Sequence, residues 1–347
     1  MKAIKFFAIS AMAAAMITSC STDDELSQSN YPSDNIIRVT AGVNNAKTRA
    51  EGQGVTAMDK PFSLTIINKN TESTELAKKY TYVDKVFSKS SSGDWACSET
   101  LLWQSSTQAV DIVAFAPAQE NKFRGVCDND RNIKPITYSV ADDQSTWSDN
   151  NDLLYYYAPG FNPGTSLDEK GKLNIQFNHA FCMIDIVVTL GTEFNKPEVL
   201  KESPIVKVTL GGTKIEASVD VKNAATTTAS VVTASEEAAA TDITTTKGSF
   251  TPAENADKKA DPEANAKSHF SCIAIPQKVA SNTFKVSLMT AGKRYEWTSA
   301  EPVELKSGYR YTLKLSMGND VVLLKGGSIS ASPWTEGDTG DKPLETD

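Results

Sequence analysis

The sequence predicts an all-β chain built as two tandem β-sandwich domains of mostly antiparallel strands. Three observations carry this. Runs rich in Val, Ile, Thr, Tyr and Phe recur along the chain, many with period-2 alternation. Clusters of Gly, Pro, Asn, Asp and Ser bound them. No segment carries the apolar period of a long amphipathic helix. With 347 residues, 40% of them hydrophobic, the chain has material for two cores.

The first residues have the layout of a secretory signal. Lys2 and Lys5 precede an apolar run from Phe6 to Ile17. That run is shorter than the roughly 20 residues a membrane-spanning helix needs. It ends in Ile17-Thr18-Ser19-Cys20, which looks like a bacterial lipobox. Residues 1–19 therefore read as a signal peptide and Cys20 as a lipidated N-terminus. Two or three acyl chains anchor stably, because each buried methylene contributes about 0.8 kcal/mol. The acidic and polar residues after Cys20 have no apolar face to bury and read as a tether.

The first strand signal is Ile36–Val43. Ile37, Val39, Ala41 and Val43 fall on one face. A polar stretch follows, ending in Lys47-Thr48-Arg49-Ala50, an exposed basic site of the kind trypsin-like proteases cut. Phe62–Asn68 alternates, and Lys79–Phe87 is rich in aromatic and β-branched residues. Ala109–Pro117 is nearly all apolar, as a central strand covered on both faces requires. Leu153–Ala158 follows. A short helical turn is expected near Glu72–Lys78.

Pro159–Gly171 is a Gly/Pro-rich break, placed as the boundary between an N-terminal domain (50–165) and a C-terminal domain (166–347). Beyond it, strands are expected over 172–190, 205–210, 214–221, 268–275, 283–290, 294–298 and 309–317. Gly211-Gly212 reads as a hairpin turn. The Ala/Thr-rich stretch 223–267 holds two segments able to pair as exposed strands, 229–234 and 242–250, with a helical turn expected at 236–240 and a charged loop at 254–267. Val321–Leu324 and Ser328–Trp334 form two extended pieces hinged at Gly326-Gly327. Val321 and Leu323 share one face of the first piece, and Ile329 and Ala331 share one face of the second. This tail reads either as a strand donated to another subunit or as a last strand packed on its own domain.

Chemistry is sparse. The net charge is −8 with no basic block, which argues against nucleic acid as a partner. His179 and Cys182 are three apart, so on a strand they face opposite ways and cannot share a proton. Cys97, Cys127, Cys182 and Cys272 show no metal-type spacing. Cys182 and Cys272 lie in apolar runs as buried thiols, while Cys97 and Cys127 are near enough in sequence to pair. Asp128-Asn-Asp130 and Asp142-Asp143 lack the full calcium loop. No metal, no cofactor and no catalytic residue is expected. Trp95, Trp103, Trp147, Trp297 and Trp334 serve either as packing or as a sugar-stacking platform.

These residues in this order resemble the fimbrillin family of Bacteroidetes, the lipoprotein pilins of type V pili. The resemblance rests on the lipobox with the acidic residues after it, and on the strand Ile36–Val43 closed by Lys47-Thr-Arg-Ala. It rests also on Asp111–Pro117, Ile175–Phe181, Ala274–Gln277, Leu305–Leu315 and Ile329–Trp334. It implies transthyretin-like, Greek-key sandwiches and a structural role in a fimbria that supports adhesion. It implies a precursor on the outer membrane, lipidated at Cys20, in which residues 20–49 are a propeptide. An Arg-specific, trypsin-like protease would cut between Arg49 and Ala50 and release the strand carrying Ile37, Val39, Ala41 and Val43. The donor strand, 321–334, with Val321, Leu323, Ile329, Ala331 and Trp334, would then fill the groove of another copy or a related fimbrial subunit. A host glycan or protein receptor is a further expected partner. The alternatives are a surface-anchored glycan-binding lipoprotein and a fimbrial tip adhesin.

Overall fold

The computed structural model describes residues 30–44, 56–195, 200–226, 229–254, 265–318, 322–324 and 329–334. The chain is all-β. Its first half contains β1 (Val39–Val43), β2 (Thr56–Ala57), β3 (Phe62–Asn68), helix α1 (Thr74–Lys79), β4 (Tyr82–Lys89), β5 (Trp95–Cys97), β6 (Val110–Ala116), β7 (Ile136–Ser139), β8 (Leu154–Phe161), the single turn α2 (Pro163–Ser166) and β9 (Leu173–His179). All of these except β7 and the helices form one eight-stranded sheet, in the order β2-β1-β9-β8-β6-β3-β4-β5. Pairing is antiparallel throughout, save that β1 runs parallel to β9.

The apolar run in β6 explains its place between β3 and β8. All seven of its residues are buried. Ile112, Ala114 and Ala116 face a core shared with Phe62, Leu64, Leu173, Ile175 and Phe177. Val113 and Phe115 face a second core with Phe123, Tyr138 and Phe181. Asp111, buried in the same strand, is neutralised by Lys69 at 2.7 Å and accepts a hydrogen bond from the Gly160 amide. The helical turn expected near Glu72–Lys78 is α1, capped by Ser73 Oγ on the Leu76 amide.

The Gly/Pro-rich stretch 159–171 joins two neighbours in this sheet. β8 continues through Pro159 and Gly160, and β9 pairs back on it at Leu154↔His179. The strand that opens the second half of the sequence thus packs its apolar face, Leu173, Ile175 and Phe177, into the same core as β1.

The second half contains β10 (Cys182–Leu190), β11 (Ile205–Lys214), β12 (Glu216–Val219), β13 (Val232–Ala234), β14 (Ala240–Thr244), β15 (Thr246–Thr251), β16 (Lys267–Ala274), β17 (Lys278–Val279), β18 (Lys285–Thr290), β19 (Arg294–Thr298), β20 (Val303–Glu304), β21 (Tyr309–Met317), β22 (Val322–Leu324) and β23 (Ser330–Pro333). One sheet has the order β15-β16-β10-β21-β22, with β23 also on β21. A second sheet has the order β14-β11-β18-β19. Alternate residues of β10 (Ile184, Ile186, Val188), β11 (Val208, Leu210), β18 (Val286, Leu288) and β21 (Leu313, Leu315) fill the larger core. The halves are sewn together by β7, which pairs with β12, and by Gln144, which exchanges two hydrogen bonds with the Ile273 backbone at 2.8 and 2.9 Å.

Three local expectations fail. Gly211-Gly212 is not a turn, because β11 passes straight through it as a bulge with a register shift against β14. Gly212 has φ +85°, and a Cβ there would collide with the Thr283 carbonyl. Residues 236–240 form bends and the start of β14 rather than a helical turn. The strands expected as exposed do form, as β13, β14 and β15, but they bury Val232 and Ile243.

Candidate functional site

A turn at Asp34 leads the chain into β1. Its carboxylate accepts from both Arg38 terminal nitrogens and from the Ile36 amide, and these contacts, the arginine first, hold its pKa down at about 2. Asn35 takes φ +58° at this turn. β1 then lies along β9 with Val39 opposite Leu173, Ala41 opposite Ile175 and Val43 opposite Phe177. Ile37, Val39 and Val43 are buried and Ala41 is half-buried, all against one core. The structure therefore gathers the four residues that the alternation placed on one face. Each buried Ile or Val contributes roughly 2 kcal/mol of apolar burial.

The other edge of β1 is lightly held. The two-residue β2 pairs only with Gly42 and Val43. Upstream, Ile37 donates to the Leu101 carbonyl at 2.9 Å and Trp103 donates to Asn35 at 2.8 Å. At the downstream end the Asn44 amide donates to Phe177 O at 2.7 Å, and its side chain donates to Asn178 Oδ1 at 3.0 Å. The Arg49–Ala50 bond falls in the connection from β1 to β2. Cys20, Arg49, Ala50 and Val321 lie outside the described residues.

The tail is folded onto its own chain. β22 and β23 both run antiparallel to β21, with Met317 opposite Val322 and Tyr311 opposite Ala331. This is the second of the two arrangements the sequence left open. Val322 is buried, because β21 presents Leu313, Leu315 and Met317 to the core and the tail matches that register. Leu323 stands opposite Ser316. Ile329 packs half-buried on the larger core, and Ala331 is exposed.

Trp334 ends the described tail and is buried. Its amide donates to Gly308 O at 2.7 Å. Its ring stacks on His179, with centroids 3.7 Å apart and planes 16° off parallel. His179 is itself buried and shares a 2.9 Å hydrogen bond, Nδ1 to Asp152 Oδ1. Asp152 and the Asn44–Asn178 pair were not singled out from the sequence. The available signal was an acid directly before the apolar pair Leu153-Leu154, which needs a buried partner.

His179 and Cys182 do not share one strand: His179 ends β9, Cys182 begins β10 after a bend at Ala180-Phe181, and each has its own partner. The Cys182 thiol donates to Ala274 O at 3.2 Å, and burial pushes it and Cys272 far above the usual thiol range. Cys97, Cys127, Cys182 and Cys272 are all free thiols.

The tryptophans do not converge on one surface. Trp103 is buried and stacks on Phe161, Trp95 meets the edge of Phe62, and Trp297 meets Phe284. Trp147 is exposed, with its Nε1 on Asp149. The Asp128 carboxylate is taken by the amides of Asp130 and Asn132, and that of Asp143 by the amide of Ser145. Among the described residues no group of three or more His, Cys, Asp or Glu is placed to hold a metal ion. No helix among them is long and apolar enough to cross a membrane.

A sequence profile described as fimbrillin-like matches residues 48–334. No curated protein matches the chain. Among solved structures, a protein assigned to cell adhesion from Bacteroides ovatus superposes with a TM-score of 0.58 at 14% identity, covering 86% of this chain and 97% of that one. A protein of the same assignment from Bacteroides uniformis gives 0.54 at 14% identity, covering 88% and 100%. A fimbrial protein from Bacteroides vulgatus gives 0.51 at 13% identity, covering 86% and 99%. At such identities the likeness speaks for the fold.

Proposed function

Because this chain belongs to the fimbrillin-like family, we propose that it is a structural subunit of a cell-surface fimbria, assembled by exchange of β-strands. The family consists of structural fimbrial subunits rather than enzymes. In this reading the chain is exported as an outer-membrane precursor lipidated at Cys20. An Arg-specific, trypsin-like protease cuts between Arg49 and Ala50, and the piece carrying β1 departs. The C-terminal segment 321–334 of another copy or a related subunit then takes its place.

The observation that supports this best is the way β1 is held. It supplies Val39 and Val43 to the core, with Ile37 just before it, yet only β9 pairs along its whole length. Its departure would uncover Phe62, Leu64, Leu173, Ile175 and Phe177, together with the ladder groups of β9. An apolar groove beside an unpaired edge is the acceptor that strand addition requires. A donor held in one subunit and a groove in the next make a head-to-tail contact that propagates as a fibre.

Treating the purified precursor with an Arg-specific protease tests this. Release of residues up to Arg49 should be followed by a ladder of oligomers, and Arg49→Ala should abolish both. Monomers that persist after complete cleavage at Arg49 would overturn the proposal.

A further inference from the structure

Two bulges, one in each sheet of the second half, border the same cleft. In β11, Ile205 pairs with Thr290 and Lys207 with Met289, so Val206 is an extra residue against β18. The bulge turns two successive side chains outward, where alternation would turn one of them in. Val206 is left 59% exposed beside the exposed Lys207. In β15, Lys247 stands opposite Phe270 and Phe250 opposite Ser268, so one residue between Lys247 and Phe250 is extra. Lys247 is exposed as well.

The cleft encloses about 380 Å³ where the chain crosses at Thr245 from the sheet of β14 to the sheet of β15. The buried Val208 and Phe270 lie at its base, and Lys207 and Lys247 line it from the two sheets. Asp143, Ser145 and Thr244 add a carboxylate and hydroxyls. In a chain of net charge −8, neither lysine is in an ion pair among the described residues. Asp143 is ionised, because Ser145, through its hydroxyl and its amide, holds the carboxyl below the usual range.

Unpaired cations, an acceptor, hydroxyls and an exposed aliphatic side chain in a space of this size complement a small polyol that bears a carboxylate. The ammonium groups suit the carboxylate, Asp143 and the hydroxyls suit ring hydroxyls, and Val206 suits the C–H face of a ring. A compact inorganic anion would meet the lysines but be opposed by Asp143. An extended peptide needs free ladder groups, and those at the cleft are taken. Thr244 donates to Asp142 O at 2.7 Å and accepts from the Gln144 amide at 2.9 Å, and the Thr245 amide donates to Val208 O at 2.9 Å. We propose that this cleft binds a sugar acid, with Lys207 and Lys247 on its carboxylate. None of the lining residues belongs to β1, β22 or β23, so binding does not depend on strand exchange.

Amide chemical-shift titration of the full-length chain tests this, with D-glucuronate and N-acetylneuraminate as probes. The amides of Val206, Lys207, Thr244, Thr245 and Lys247 should shift with a Kd of about 1 mM. The methyl esters keep the ring and lose the charge, and should bind at least about tenfold more weakly. Lys207→Gln and Lys247→Gln should each weaken binding about tenfold, with the amides of β10 unmoved as the sign of an intact fold. Sialyllactose that binds as tightly as free N-acetylneuraminate supports the proposal and places the site at the ends of glycans. Binding of the free acids alone supports it and restricts the site to free sugar acids. Still cleft amides with both acids at about 50 mM overturn the proposal, as do esters that bind as well as the acids. Sodium sulfate or tetraglutamate that binds as tightly as the sugar acids also overturns it, in favour of a site for any anion or for an acidic peptide.

Discussion

Tyr138 shows how a single buried hydroxyl ties stability to pH. It donates to Asn150 O at 2.6 Å and accepts from Gln119 Nε2 at 2.5 Å, within an aromatic stack on Phe123. Burial raises its pKa to about 12, from 10.0 when exposed. The folded state therefore holds this proton more tightly than the unfolded one. Stability from Tyr138 is complete below pH 10 and falls as pH rises through about 12. Urea midpoints measured between pH 9 and pH 12 should fall, and Tyr138→Phe should flatten part of that fall. Asp185, half-buried on β10, forms an ion pair with the buried Arg310 of β21. Asp185→Ala leaves a buried guanidinium without this carboxylate and should cost roughly 3 kcal/mol in urea denaturation, while the paired change Asp185→Ala with Arg310→Met should recover much of it. At this scale the sequence was uneven. His179 and Cys182 read as two positions on one strand, but the chain bends between them at Ala180-Phe181 and places them on successive strands, β9 and β10. The acid that fixes His179 is 27 residues away from it and carries no local sign of the pairing.

Strands of this chain were legible where burial imposes a pattern. β6 reads as central because both its faces are covered, and β1 reads as one-faced because only one face is. Val39→Ala should lower the stability of the uncut chain by roughly 2 kcal/mol. If the proposed cut removes β1, the same substitution should leave the processed protein unchanged, which a pair of denaturation curves decides. What β1 pairs with was not legible. A parallel partner that begins 130 residues later shares no turn with it, and alternation says nothing about direction. Gly211-Gly212 was misread for a related reason. The same two residues serve a hairpin or a bulge, and the positive φ and the approach of Thr283 together require glycine at 212. Gly212→Ala should destabilise the chain by at least about 2 kcal/mol, through both positive φ and collision. Which residues of the tail turn inward was not legible either, since its own letters leave the facing open and the register against β21 decides that Val322 is buried.

Across the whole molecule, the class was legible and the partition was less so. Turn chemistry at 159–171 announces a break, but a break in the chain need not be a break in the sheet. β9 crosses it to complete the first sheet, and β7 crosses the other way to pair with β12. The larger core runs from Ile67 to Trp334 and so includes residues of both halves. Urea unfolding followed by tryptophan fluorescence and by circular dichroism should accordingly give coincident curves, and two separated transitions would contradict a shared core. One further property of the assembled state follows from the thiols. Cys97, Cys127, Cys182 and Cys272 are unbridged, and two of them are sealed in the interior. The proposed exchange of strands at the first core would therefore meet no covalent stitch among the described residues. A filament of such subunits would draw its cohesion from hydrogen bonds and dry apolar contact alone. Reducing agents should leave its length untouched, whereas heat in detergent should dissolve it to single chains.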